Sequence, residues 1–142
     1  MDAKEFLERP YILKQRVDKM CRRIEELEPK AYRSTRPIDA EAVSGTIDPH
    51  ARESAIAELA DLQTELHYDF EEFKQIRIEV QDAIDKLYPD HYKEHRIFGR
   101  RYLLGWTWSR IAREYGLKVS EVHSLHDAAL PLIEVPERYR NE

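Results

Sequence analysis

The chain has 142 residues, 36% charged and 42% hydrophobic, with only four glycines and a net charge of −5. That balance favours long, solvent-washed helices over a sheet fold, whose turns consume glycine, and the length suits one small domain with an elongated appendage. Cys21 stands alone, which excludes an intrachain disulfide. No secretory signal opens the chain and no apolar run approaches the roughly eighteen residues of a membrane span, so a soluble, intracellular protein without a membrane partner is expected.

Asp2-Ala3-Lys4-Glu5 has the form of a capping box and opens the first predicted helix. Its apolar positions Phe6, Pro10, Leu13, Val17, Met20, Ile24 and Leu27 alternate steps of four and three, a heptad seam. Cys21 falls on this helix as a core thiol. Pro10 is expected to kink or restart the helix, and Pro29 to end or bend it. The segment from Ser34 to His50 carries Pro37, Gly45 and Pro49 and neither period, and reads as a flexible linker. Asp48 then N-caps a second helix with Pro49 at its first position.

The stripe of that second helix is Ile56, Leu59, Leu62, Leu66, Phe70, Phe73, Ile76, Val80, Ile84 and Leu87. Run to Leu87, the helix is roughly 55 Å long. A one-sided stripe of this length needs a partner: the first helix as an antiparallel hairpin, a second copy, or both. Leu59, Leu62, Leu66, Phe70, Phe73, Ile76 and Val80 are the expected oligomerisation residues of a homodimer or higher oligomer.

Tyr88-Pro89-Asp90 ends the long helix, and a third is predicted over Tyr92–Leu103, before the turn Leu104-Gly105. A fourth covers Thr107–Tyr115 with Thr107 as N-cap, Gly116 ends it, and a fifth runs from Val119 to Ile133, interrupted by Pro131. The resulting expectation is all-α, a long helical hairpin or coiled-coil stem followed by a module of short helices. Its boundaries are 1–33 for the first stem helix, 34–50 for the linker, 51–88 for the second stem helix and 89–142 for the module.

The spacing from Thr107 to Leu130 carries the functional reading. A helix-turn-helix needs a small residue where its helices cross, and Ala112 supplies it. It needs a residue tolerating positive φ four positions later, and Gly116 supplies that. Leu117, Val122 and Leu125 hold the second helix down. Charge agrees locally: residues 93–118 carry seven cations against two carboxylates, a net of +5, while residues 1–88 carry 14 basic and 20 acidic side chains. Phosphate contacts are expected from Arg100, Arg101, Thr107, Arg110, Arg113 and Lys118. Base-facing positions are Val119, Ser120, Glu121, His123 and Ser124.

The residues Arg101-Tyr102, Thr107-Trp108, Ile111-Ala112, Gly116, Val122-His123, Leu125-His126 and Ala129-Leu130 resemble region 4 of bacterial sigma factors. They resemble more closely a family of small phage and prophage proteins of Gram-positive hosts, related to ArpU-type late transcription regulators. The opening Met1–Leu7 and the helix–linker–helix layout are also similar to that family. The resemblance implies sequence-dependent binding of double-stranded DNA and control of phage late or lysogeny-linked genes in the cytoplasm of a bacterial host, with RNA polymerase a further candidate partner. The chain departs from the pattern at Lys118-Val119-Ser120-Glu121, where the family places a Ser or Thr cap followed by Arg or Gln. Those are the side chains that read guanine and adenine bidentately.

Rival readings are a phage DNA-packaging (small terminase-like) recognition subunit, and an interaction module acting on RNA polymerase or a host regulator. His91-Tyr92-Lys93-Glu94-His95 has the H-x-x-E-H form of some zinc peptidases, but it sits at a helix start beside Pro89 with no further ligand element. His123 and His126 share a helix face, and the resemblance implies ordinary helix-turn-helix positions for them, with His126 making a phosphate contact and His123 near the groove. With no nucleophile–base pair, phosphate loop or cysteine cluster, neither an enzyme, a metal site nor a cofactor is expected.

Overall fold

The computed structural model describes residues 1–32 and 49–140. Every regular element among them is helical: α1 (Ala3–Tyr32), α2 (Pro49–Asp85), α3 (Tyr92–Phe98), α4 (Trp108–Tyr115), α5 (Val119–Ala129) and α6 (Glu137–Arg140). A π-helical turn, Gly99–Leu103, follows α3, and a 3₁₀ turn, Leu130–Leu132, follows α5. No helix among the described residues is long and apolar enough to cross a membrane. The expected linker up to position 48, and with it the Asp48 cap, lies outside the described residues.

The capping box at the start of α1 is reciprocal. Asp2 Oδ1 accepts from the Glu5 amide at 2.8 Å, and Glu5 Oε2 accepts from the Asp2 amide at 3.1 Å. The helix then runs through both Pro10 and Pro29, so Pro10 does not restart it and Pro29 does not end it. Pro10 is itself buried in the apolar seam, and that burial offsets the hydrogen bond its ring removes. Cys21 is half-buried rather than a core thiol.

The chain forms two compact units, one of Met1–Leu13 with Glu72–Glu142 and one of Lys14–Glu71. In the second unit the α1 and α2 segments run antiparallel. Arg16 pairs with Asp69 at 3.0 Å, and Arg23 forks onto both oxygens of Glu58 at 2.9 and 3.0 Å. The Arg23 guanidinium holds the Glu58 carboxyl below its ordinary range. Leu27, Ala31, Ala55 and Leu59 form the buried cluster, flanked by Ile24 and Leu62. Ala55 takes the inward place expected of Ile56, which is 44% exposed.

In the first unit the main core joins Phe6, Leu7 and Leu13 to Ile76, Val80, Ala83, Ile84 and Leu87, and then to Phe98, Ala129, Ile133 and Tyr139. A second cluster holds Ile97, Ile111, Ala112 and Val122, with Trp106, Trp108, Tyr115, Leu117 and Leu125 against it. Ile97 and Phe98 are adjacent in sequence but belong to different clusters, so α3 is keyed between the two cores.

The expected oligomerisation residues differ in their exposure. Leu59, Ile76 and Val80 are buried within their own chain, because residues of α1 already cover the stripe in each unit. Leu62, Leu66 and Phe73 are half-buried, and Phe70 alone of the seven is exposed, at 44%.

Candidate nucleic-acid interface

The geometry between α4 and α5 follows from three local signals. Thr107, in extended backbone, caps α4 with Oγ1 accepting from the Arg110 amide at 3.1 Å. Gly116 ends α4 at φ 65° and ψ 31°. Its amide donates to the Arg113 carbonyl, and the Leu117 amide donates to the Ala112 carbonyl at 2.8 Å. These two bonds make a Schellman closure, and Leu117 adds the apolar contact that accompanies it by packing on the Ile111–Ala112 cluster. At the start of α5 the Lys118 amide donates to Glu121 Oε1 at 3.4 Å, so the helix is capped without a Ser or Thr.

A Cβ at Gly116 would meet no atom within 4 Å, so only backbone strain opposes substitution there. Gly116→Val is expected to destabilise the first unit by about 1–2 kcal/mol, and Gly116→Asn by less. Chemical denaturation of the two variants measures the difference.

The third predicted helix changes register before its end. The Leu104 amide reaches the Gly99 carbonyl at 3.2 Å, five residues back, and the Trp106 amide reaches the Arg100 carbonyl at 2.9 Å. This widened turn presents three consecutive side chains to three different partners. Arg100 Nε donates to Tyr115 Oη at 3.2 Å, and its guanidinium lies 5.1 Å from the Trp106 ring centre. Arg101 lies over Trp108 at 4.6 Å and donates to the Trp106 carbonyl at 3.1 Å. Tyr102 Oη meets His126 Nε2 at 2.6 Å.

The remaining candidate cations come from α4 and the turn after it. Arg110 is stacked on Trp106 at 3.9 Å, so that ring carries two guanidinium groups. Arg113 and Lys118 are exposed. Among the described residues, none of Arg100, Arg101, Arg110, Arg113 and Lys118 is paired with a carboxylate. The aromatic rings orient three of these charges without neutralising them.

His126 does not belong with them. It is 4% exposed, stacked on Phe98 at 4.9 Å, edge-on to Trp108 at 5.0 Å, and bonded through Nδ1 to Asp127 at 3.0 Å. With the ring proton on Nδ1, the Tyr102 hydroxyl donates to Nε2 and Nδ1 donates to Asp127, which satisfies the buried ring. Burial pushes the Tyr102 hydroxyl up to about 12. The expected phosphate contact of His126 is therefore corrected to a packing and positioning role.

No family model, curated protein or solved structure matches this chain. The site's chemistry rests on its own geometry.

The base-facing set divides in the same way. Ser120, Ser124 and Val119 are exposed on α5, with Ser124 Oγ donating to the Ser120 carbonyl at 3.0 Å. His123 is half-buried against Trp108, with ring centres 4.7 Å apart. Glu121 is exposed, but its carboxylate is turned back onto the Lys118 amide as a cap. No site role was expected of Tyr102 or Tyr115, yet Tyr115 Oη accepts from Arg100 and Tyr102 Oη bonds to His126. The alternation of aromatics with Arg100, Arg101 and Arg110 was the available signal. The H-x-x-E-H stretch resolves into structural roles: His91 precedes α3, and His95 Nε2 lies 2.9 Å from Asp85 Oδ1.

Proposed function

We propose that α4, the Gly116 turn and α5 form a helix-turn-helix of the sigma-region-4 kind, and that the protein is a phage-type transcriptional regulator binding duplex DNA through it. The Schellman-closed left-handed turn at Gly116, with the small buried Ala112 behind it and five nearby cations that pair with no carboxylate among the described residues, carries the reading. Arg100, Arg101, Thr107, Arg110, Arg113 and Lys118 contact phosphates. Val119, Ser120, His123 and Ser124 face the bases. Phosphate contacts supply most of the affinity, because the exposed face of α5 has neither Arg nor Gln.

That same poor base-reading face favours a second reading, an interaction module acting on RNA polymerase or a host regulator.

Two single substitutions separate affinity from specificity. Arg110→Gln is expected to weaken binding to all duplexes alike and to reduce the salt slope by about 1. Ser124→Ala is expected to change preference among sequences instead, by about 1–3 kcal/mol at the base pair it reads. Titrations on selected and scrambled duplexes measure both, and uniform loss from Ser124→Ala would contradict its base-facing role.

A further inference from the structure

Between α3, the turn after α4 and the first half of α5 lies a cleft of about 660 Å³, within the range of small-molecule sites. Its walls are apolar, formed by Ile97, Tyr115, Leu117 and Leu125, and its lining includes Lys93 and Arg96 from α3. These two cations are three residues apart on one helix and so share a face. Neither is paired with a carboxylate among the described residues. The one carboxylate in the lining, Glu121, is turned to the Lys118 amide as a helix cap. Apolar walls with a surplus of positive charge call for a ligand of matching composition.

We propose that this cleft binds a small amphipathic anion: an apolar, aromatic or branched body carrying one carboxylate, sulfonate or phosphate group. The body lies against Tyr115, Leu117 and Leu125, and the anionic group bridges Lys93 and Arg96. Charge-assisted bonds to two donors add orientation to the burial of the body. Ser120 and Ser124 line the cleft and also belong to the exposed face of α5, so an occupied cleft alters the surface offered to duplex DNA. That last consequence rests on the DNA-binding reading; the binding of the anion does not.

The test is a fluorescence titration of the full chain with anilinonaphthalene sulfonate, alongside neutral phenylnaphthylamine as the uncharged body. A single saturable site is expected. The double substitution Lys93→Ala and Arg96→Ala, at exposed positions, should weaken the sulfonate by about tenfold or more and leave the neutral probe unchanged. Ser124→Trp, which fills the cleft from an exposed position, should abolish binding of both. Circular dichroism verifies that the variants remain helical. Non-saturable binding, equal sulfonate affinity in the doubly substituted protein, or undiminished binding to Ser124→Trp would overturn the proposal. None of these readouts uses DNA, so failure here and failure of the DNA reading are separate results.

Discussion

Phe98→Ala is expected to lower the stability of the first unit by about 3–5 kcal/mol, which corresponds to a melting temperature reduced by on the order of 10 °C. Phe98 is fully buried and stacks on Tyr102 at 5.7 Å and on His126 at 4.9 Å. It lies in the main core, while its neighbour Ile97 lies in the cluster that holds α4 to α5. Truncation therefore leaves a cavity and also loosens the ring that keeps His126 in place. The whole region after α3 should lose order together. Leu104→Ala, at a residue 54% exposed, serves as the control and should change stability by roughly 0.5 kcal/mol or less. Equal effects from the two substitutions would show that Phe98 is not a core residue.

Neutralising Arg110, Arg113 and Lys118 together to Gln should produce the largest functional loss. Each phosphate contact contributes about 0.9 to the slope of log affinity against log salt, so three should remove roughly 2.7. At physiological ionic strength the loss amounts to about a hundredfold. Because Arg113 and Lys118 are exposed and Arg110 lies across Trp106 at the surface, folding should be little affected. Lys14→Gln, an exposed cation of α1, should leave the slope unchanged. Electrophoretic or fluorescence titrations at several salt concentrations give both numbers, and an unchanged slope in the triple variant would remove these residues from the interface.

Much of the local architecture was legible because short-range chemistry fixed it. The Asp2 capping box, the Thr107 cap and the left-handed Gly116 each depend on residues within a few positions, and each stands where the sequence places it. The heptad seam of α1 was equally legible, with Phe6, Leu13, Val17, Met20 and Leu27 all buried. Errors arose where tertiary packing decides. Pro10 looks like a breaker until its burial is known. Ile56 and Ala55 exchange roles because the close contact with Leu27 and Ala31 is made by the smaller side chain. The stripe of α2 is insufficient to distinguish a partner helix in the same chain from one in a second copy.

The candidate interface was legible in its residue types and not in their states. His126 reads as an exposed module position, yet its ring is enclosed by Phe98, Tyr102 and Trp108. Trp106 belongs to no periodic stripe in the sequence, yet it carries Arg100 and Arg110. Both depend on the widened turn at Gly99–Leu103, a one-residue change of register that no periodicity announces. The four-residue α6 leaves no periodic signal either, although Tyr139 from it packs on Phe6 with ring centres 5.6 Å apart.

Titrating the full chain with double-stranded DNA between about 50 and 200 mM salt tests whether the surface around α4 and α5 is a duplex DNA interface. Binding should be tightest at the lowest salt. Log affinity should fall linearly with log salt, with a slope of several units set by Arg100, Arg101, Arg110, Arg113 and Lys118. No duplex binding at the lowest salt, or binding indifferent to salt, would contradict it.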